Sequence, residues 1–266
     1  MAHIPSDIAV EAIQWRLRGR IIGRRLQVVA EIGSTNDAIM AAGHAGEAEG
    51  LAVLADRQTS GRGRRGRSWA SLPGVGIWTS VLLRPPVSPL QAPLLTLMAS
   101  LATAEAIARV ARVEPVLKWP NDLLLHGRKV VGILTEMTTT AQRIGQVAIG
   151  IGINVHQRPE DFPDRVRETA TSIDLAAGRR VDRGEVAAAL YDSLDRWYAA
   201  VCADGVSMIL EAARARTATL GKPVTVDTGG EQWQGTALDL DEDGALLVVD
   251  AQGDVQRVLA DDVSIR

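Results

Sequence analysis

Hydrophobic positions over residues 1–218 alternate between helical spacing and short apolar runs, the pattern of an α+β fold. Apolar residues three and four positions apart predict helices over 7–22, 34–42, 91–112, 183–202 and 205–218. Apolar runs predict strands over 25–31, 51–56, 76–84, 122–125, 130–137 and 147–155, with another strand ending at Lys118. The pattern therefore predicts a mixed β-sheet flanked by helices.

The pattern changes after residue 218, where apolar and polar residues alternate with the two-residue period of half-buried strands. The predicted strands cover 224–227, 233–238, 245–249 and 255–259, and glycines mark the turns between them. We expect residues 219–266 to form a small β-barrel, separate from a larger domain over residues 1–218.

Composition narrows the class of protein. The chain has 266 residues, of which 46% are hydrophobic and 23% charged, so it can build a core and is not a disordered protein. Its one cysteine, Cys202, lies in an apolar run and is predicted to be buried. The longest apolar stretch, 94–108, is shorter than the ~20 residues that a membrane span needs. Asp7 and Glu11 interrupt the pattern of a signal peptide, so we expect a cytoplasmic protein without a membrane anchor.

The net charge of −3 conceals two oppositely charged parts. Residues 1–218 carry 26 Lys and Arg against 22 Asp and Glu, a net charge of +4. Residues 219–266 carry 3 against 10, a net charge of −7. The balance excludes a uniformly basic nucleic-acid binder and directs attention to local positive charge.

Positive charge concentrates in residues 57–67, here named the Arg-Gly loop, which hold five arginines and three glycines but no acid. Glycine lets backbone N–H groups approach a ligand, and the guanidinium fork matches phosphate and carboxylate oxygens. We expect an anionic ligand to order this loop. The segment also resembles a dinucleotide fingerprint and a P-loop, but no helical pattern follows it as both motifs require. A solvated basic loop and a nucleic-acid patch remain alternatives.

Other candidate residues are less distinctive. Lys118 is notable because the chain has only three lysines against 26 arginines. Gly150 and Gly152 interrupt a buried strand, which indicates either a ligand or a helix close to the backbone. Residues 34–36, Ser-Thr-Asn, suit a helix cap or a neutral polar head group equally well. The four histidines are scattered, which argues against a structural zinc site.

Five ordered motifs together resemble the biotin protein ligases. They are GSTN at 33–36, QTSGRGRRGRSW at 58–69, KWPND at 118–122, KVVGIL at 129–134 and GIGIN at 150–154. The sequence TSI at 171–173 and the acidic β-domain also suit this family, so the resemblance covers nearly the whole chain. Biotin repressors of the family carry an N-terminal winged helix-turn-helix domain. The short segment before residue 25 leaves no room for one, which implies a ligase that does not bind DNA.

The resemblance implies an ATP-dependent ligase with a catalytic domain over residues 1–218, similar in fold to class II aminoacyl-tRNA synthetases, and an SH3-like β-barrel over residues 219–266. The carboxylate of biotin attacks the α-phosphate of ATP to give biotinyl-5′-AMP and pyrophosphate. A lysine amine of a biotin carboxyl carrier protein domain then attacks the mixed anhydride. Because two anions meet in the first step, Mg²⁺ and cationic side chains must offset their repulsion. The resemblance also allows a homodimer.

The resemblance assigns roles to individual residues. Lys118, Arg62 and Arg64 are the predicted catalytic residues. Biotin is expected to contact Ser34, Thr35, Asn36, Gln58, Gly61, Arg62, Gly63, Arg64, Lys118, Gly132 and Gly152. The nucleotide is expected to contact Arg65, Arg67, Trp69, Asn121, Lys129 and Asn154. The metal ligands are not assigned.

Two alternative functions remain at this stage. A lipoate protein ligase shares the adenylation chemistry, but its substrate lacks the ureido head group that residues 34–36 and Gln58 would bind. A nucleic-acid-binding module would use the Arg-Gly loop without any enzymatic activity.

Overall fold

The computed structural model describes residues 5–140, 143–259 and 262–265. The helices are α1 (Val10–Gln14), α2 (Thr35–His44), α3 (Ala92–Ala111), α4 (Ile173–Ala177), α5 (Arg183–Asp204) and α6 (Ser207–Arg216). The strands are β1 (Arg25–Ile32), β2 (Leu51–Gln58), β3 (Gly76–Leu83), β4 (Val116–Lys118), β5 (Asp122–Leu125), β6 (Arg128–Thr139), β7 (Ile144–Asn154), β8 (Pro223–Asp227), β9 (Gln232–Leu240), β10 (Leu246–Asp250), β11 (Val255–Val258) and β12 (Asp262–Ile265).

The first seven strands form one mixed sheet in the order β1-β2-β3-β7-β6-β5-β4. Only β1 and β2 pair in parallel, and the remaining neighbours are antiparallel. The central strands β3 and β7 are buried along most of their length, which explains their continuous apolar sequences. The predicted mixed sheet flanked by helices is confirmed.

Helices cover both faces of this sheet. α3 and α5 pack against one another in the main core, and α2 covers a smaller apolar cluster that includes Ile39 and Leu82. The segment Pro89–Ala111, which contains α3, is long and apolar enough to cross a membrane by length and composition. However, 78% of its apolar window is buried inside the protein, as expected for the central helix of a globular core.

The first predicted helix is much shorter than expected, because α1 ends at Gln14 rather than near residue 22. The following backbone bonds to carboxylates of α5 instead of continuing as a helix. Asp192 accepts the N–H groups of residues 18 and 19, and Asp195 accepts those of residues 20–22. This capture by distant side chains has no local signal in the sequence.

The last five strands form an antiparallel sheet in the order β11-β10-β9-β8-β12, which confirms the small C-terminal β-domain. Within the described residues, the edge strands β11 and β12 do not pair with one another, so backbone hydrogen bonds do not close a barrel. β12, a strand of only four residues, was not predicted from the sequence.

The β-domain supports the strand that carries Lys118. The indole Nε1 of Trp119, a side chain only 2% exposed, donates to the carbonyl of Gly244 at 3.0 Å. The backbone N–H of Trp119 donates to Thr219 Oγ1, also at 3.0 Å. β4 and the residue that follows it are therefore fixed from the side of the β-domain.

Arg183 is a buried cation that joins distant parts of the fold. Its guanidinium, 2% exposed, donates to both carboxylate oxygens of Asp7 at 2.8 and 2.9 Å. It also donates to Asp56 Oδ1 at 2.9 Å and to the carbonyl of Gly76. The arginine thereby connects the N-terminal segment, β2 and β3 through the start of α5.

Cys202 does not lie in the core. The prediction of a buried cysteine is wrong, because the residue is exposed on the outer face of α5. Its neighbour Val201 takes the buried position, so the apolar run around it was a poor guide to which face each residue occupies.

Candidate active site

A cavity of about 500 Å³ lies between the Arg-Gly loop, residues 118–122 and strands β6 and β7. Its wall includes most of the predicted site residues, namely Ser34, Thr35, Asn36, Gln58, Arg62, Gly63, Arg64, Arg67, Trp69, Lys118, Asn121, Lys129, Gly132, Gly152 and Asn154. The fold thus brings together residues that are separated by more than a hundred positions in the sequence.

Two predicted site residues, Gly61 and Arg65, lie outside the cavity wall. A Cβ on Gly61 would lie 2.5 Å from the carbonyl oxygen of Trp69, so this glycine permits a close approach between two parts of the loop. Arg65 points to the β-domain, where Nη1 donates to the carbonyl of Asp227 at 2.9 Å. Their predicted contacts with biotin and with the nucleotide stay predictions.

One end of the cavity is neutral, polar and buried. Ser34 caps α2 by accepting the N–H of Asp37, and the next two residues turn into the cavity wall. Thr35 donates its N–H to Gln58 Oε1 at 2.8 Å. Residues 34–36 are each 3–4% exposed. The predicted helix cap is confirmed, and the same segment forms part of the cavity wall.

Gly150 explains why a glycine interrupts the buried strand β7. A Cβ at this position would lie 2.2 Å from Asn36 Oδ1, so no larger residue fits beneath the asparagine. The close neighbour indicated by this glycine is therefore a side chain of the cavity wall.

Within the Arg-Gly loop, two guanidinium groups are held over the cavity. Arg62 Nη2 donates to Asp37 Oδ1 at 2.6 Å and to Glu136 Oε2 at 2.7 Å. Arg64 Nη1 donates to Asn121 Oδ1 at 3.1 Å. These contacts place positive charge where an anionic ligand would enter.

Two lysines line the cavity in different surroundings. Lys129 Nζ lies 2.5 Å from Asp122 Oδ1. Lys118, at the end of β4, is half-buried, and its ammonium makes no ion pair or hydrogen bond to any residue that the structure describes. Lys118 therefore offers a partly desolvated point charge to a ligand.

Trp69 lies across the sheet inside the cavity. A Cβ on Gly132 would lie 2.6 Å from the indole ring, and one on Gly152 would lie 2.5 Å from its Nε1. These two glycines are directly paired between β6 and β7, and together they make room for the ring. Lys129 Nζ lies 5.3 Å from the ring centroid, within the range of a cation–π interaction. Both glycines therefore shape the cavity through Trp69.

We expect Gly152→Ala to displace the Trp69 ring and to lower the activity predicted from the family resemblance about tenfold or more, because the new methyl group overlaps the indole. Intrinsic tryptophan fluorescence and an assay of that predicted activity measure the two effects. Gly230→Ala is the matched control, since a Cβ there meets nothing within 4 Å. Unchanged fluorescence and activity in Gly152→Ala would contradict this role of the glycine.

Several residues at or beside the cavity were not predicted from the sequence. Glu136, which accepts a hydrogen bond from Arg62 beside the cavity, is an acid in the apolar strand β6, and this break in the pattern was a usable signal. Arg165 donates to Ser68 Oγ at 2.9 Å from a segment without regular pattern. Asp227 and Gln232 come from the β-domain, and nothing in their local sequence indicates proximity to the cavity.

At the far end of β7, Asn154 belongs to a small polar cluster. Its Nδ2 donates to the carbonyl of Thr171 at 3.0 Å, and its Oδ1 accepts Gln157 Nε2 at 3.1 Å. Asn154 is 5% exposed, so its amide is held in one orientation at the cavity wall.

The chain was compared with known proteins. Residues 29–154 match the biotin/lipoate A/B protein ligase family, and residues 219–266 match the biotin protein ligase C-terminal domain. A biotin–[acetyl-CoA-carboxylase] ligase of Mycobacterium tuberculosis is 37% identical over 263 residues, covering 93% of each chain. The bifunctional ligase/repressor BirA of Bacillus subtilis is 34% identical over 261 residues, covering 98% of this chain and 80% of that protein.

A solved structure gives the same result. The biotin protein ligase of Aquifex aeolicus, in complex with biotin and ATP, superposes with a TM-score of 0.77 at 29% identity. The match covers 91% of this chain and 99% of that one. The chain belongs to the biotin/lipoate A/B protein ligase family. Within that family, its C-terminal domain places it among the biotin protein ligases.

Proposed function

We propose that this protein is an ATP-dependent biotin protein ligase that forms biotinyl-5′-AMP and transfers the biotinyl group to a lysine of a biotin carboxyl carrier protein. The observation that carries the proposal is one cavity with two chemically different ends. Residues 34–36 and Gln58 provide a buried neutral end for the ureido ring, and Lys118 with the Arg-Gly loop provides the cationic end. The relatives named as biotin ligases support this substrate.

In the first step, two anions must approach one another. Lys118 would bridge the biotin carboxylate and the α-phosphate, and Arg62 and Arg64 would balance the charge that develops on the phosphate oxygens. Arg62 now holds the carboxylates of Asp37 and Glu136 at the cavity edge. When the ligand binds, Arg62 would exchange these two contacts for ligand oxygens. In the second step, the carrier lysine attacks the acyl carbon and AMP leaves.

The nucleotide would occupy the end of the cavity near β7. Trp69 provides an aromatic face, and Asn154 provides an amide for the edge of the base. Asn121, Lys129 and Arg67 would lie along the phosphates. Arg65 would contribute from the loop, where it now contacts the β-domain.

We infer that Mg²⁺ accompanies ATP. Among the described residues, no group of three or more His, Cys, Asp and Glu could hold a metal ion alone, so the phosphates would supply most ligands, as is common for this ion. Asp122 could add one carboxylate. Its buried Oδ1 makes no hydrogen bond within the described chain and has the Lys129 ammonium as its partner.

Neither alternative function is favoured by an observation. Lipoate has no group that would pair with the buried polar end of the cavity, so those side chains would stay without a ligand partner. A nucleic-acid-binding role is not favoured either, because Arg62, Arg64 and Arg67 all border one cavity of about 500 Å³ that suits a small ligand. We further infer a cytoplasmic enzyme with domains over residues 1–218 and 219–266, which acts without DNA or membrane and is able to form a homodimer.

The test of the proposed function is direct. The purified protein is mixed with biotin, MgATP and an apo carrier domain, and the carrier is probed with streptavidin. We expect a signal that requires all three additions and disappears when the acceptor lysine is replaced. A carrier modified equally well with lipoate in place of biotin would overturn the proposal.

We also expect the Arg-Gly loop to become resistant to trypsin when biotin and MgATP are bound. The loop offers five arginines, and adenylate formation would draw it onto the ligand and exclude water from the anhydride. Cleavage is followed by mass spectrometry with and without both substrates. A loop cut at the same rate in both conditions would contradict closure.

A further inference from the structure

The hydroxyl of Thr35 is oriented by a chain of hydrogen bonds that includes Ser80 and Glu136, two residues outside the predicted site. We propose that Glu136 and Ser80 are positioning residues that, through Asn36, turn the Thr35 hydroxyl into an obligate hydrogen-bond acceptor and so select a ligand with an N–H group. This inference rests on the proposed function, because it assigns the ureido N–H of biotin to Thr35.

The orientation begins at Glu136. Asn36 Nδ2 donates to Glu136 Oε2 at 2.7 Å and to the carbonyl of Leu134 at 3.2 Å. Both partners can only accept, since one is a carboxylate paired with Arg62 and the other a backbone carbonyl. The amide of Asn36 is thereby fixed with its Oδ1 pointing to the other side.

The orientation passes next to Ser80, a residue of β3 with no exposed surface. Ser80 Oγ lies 2.6 Å from Asn36 Oδ1 and 2.7 Å from Thr35 Oγ1. An amide oxygen cannot donate, so the one proton of Ser80 points to Asn36. Ser80 therefore has only lone pairs to offer Thr35.

Thr35 must then donate its own proton inward, to Ser80 Oγ at 2.7 Å or to the more distant Gln58 Oε1 at 3.1 Å, which also accepts the Thr35 N–H. Either way, the proton of Thr35 is used inside the protein. Thr35 lines the cavity, and a hydroxyl whose proton is used inside the protein has only lone pairs to offer a ligand there. A ligand atom that reaches it must carry a hydrogen, which the ureido ring has and the dithiolane ring of lipoate lacks.

This order of donors predicts a specific effect of Ser80→Ala on the KM for biotin. Without Ser80 Oγ, the Thr35 proton is free to turn toward Gln58 or the ligand. We expect the KM for biotin to rise about tenfold, the cost of one misdirected hydrogen bond, while the KM for ATP and kcat change less than twofold. Ser100→Ala is the matched control, because Ser100 is equally buried and bonds only to the carbonyl of Thr96 in its own helix.

Two ligand analogues distinguish a changed orientation of the Thr35 hydroxyl from a simple loss of packing in Ser80→Ala. The two ligands are biotin analogues in which one or the other ureido N–H is replaced by a ring oxygen. The analogue with the oxygen at the position facing Thr35 would place two hydrogen-bond acceptors opposite one another. We expect the wild-type enzyme to support pyrophosphate exchange with that isomer about 100-fold less efficiently than with biotin. In Ser80→Ala the preference should fall to about tenfold or less, because the freed Thr35 hydroxyl can donate to the oxygen.

Glu136 provides a second variant. Glu136→Gln keeps a carbonyl that accepts from Asn36, so it should retain the wild-type KM for biotin even though the ion pair to Arg62 is lost. Glu136→Leu removes the acceptor and should raise that KM in the same way as Ser80→Ala. The inference would be overturned if wild type and Ser80→Ala showed the same preference for biotin over each analogue. Wild-type protein without biotin-dependent pyrophosphate exchange would instead overturn the proposed function itself.

Discussion

Lys118→Ala should reduce biotin-dependent pyrophosphate exchange about 1,000-fold while the protein remains folded. Its ammonium is the one that would meet both reacting anions, and removing a preorganised charge of this kind typically costs a factor of 10² to 10³ in rate. It lies at the end of β4 in the cavity wall and makes no ion pair among the described residues, so no internal partner is orphaned by its loss.

The matched control is Lys222→Ala, which removes an exposed lysine of the C-terminal part and should leave the rate unchanged within twofold. Thermal unfolding of both variants should resemble that of the wild type. If Lys118→Ala exchanged pyrophosphate at the wild-type rate, the assignment of this lysine to the reacting centre would be wrong.

Arg183→Met should lower the free energy of unfolding by about 3–5 kcal/mol, because it leaves the buried carboxylate of Asp56 and the partly exposed carboxylate of Asp7 without their cation. Urea unfolding followed by circular dichroism measures the loss. Arg57→Met breaks an ion pair with Glu31 in which both side chains are about half exposed, and it should cost less than about 1 kcal/mol. Similar losses in the two variants would contradict the importance of burial.

The same cluster predicts a pH dependence. Burial by itself would raise the pKa of Asp7, but the hydrogen bonds and charge of Arg183 outweigh it and lower the pKa below 3.8. A carboxyl group with a lowered pKa in the folded state stabilises the protein above its unfolded pKa and loses that contribution as the pH falls through the folded value. Stability should therefore fall more steeply below pH 3.8 in the wild type than in Arg183→Met, where the lowering cation is absent.

Sequence reasoning recovered those parts of the fold that depend on local pattern. The fully buried strand β3 and the helix α3 were predicted within one residue at each end, because a continuous apolar strand and a long apolar helix leave little freedom. α1 was too long in the prediction because carboxylates far along the chain capture the backbone after Gln14. Such long-range partners leave no periodic signal.

The candidate site divides in a similar way. Lys118 and the Arg-Gly loop were conspicuous as deviations from the composition of the chain. Glycines were harder to interpret, because a sequence shows that something approaches the backbone but not what it is. At Gly152 the neighbour is the Trp69 ring, and at Gly150 it is Asn36. Contributions of the β-domain, such as Asp227, depend on how two parts of the chain pack together.

Three cations at or beside the cavity already have internal anions as partners, with Asp37 and Glu136 on Arg62, Asp122 on Lys129 and Asp227 on Arg65. We expect a bound triphosphate to take the place of these carboxylates, so that few ions from the bulk solvent take part. Affinity for ATP should then vary little with salt concentration, unlike nucleic-acid binding, where counterion release makes the dependence steep. The counterions that ATP would replace in this cavity are side chains of the protein itself.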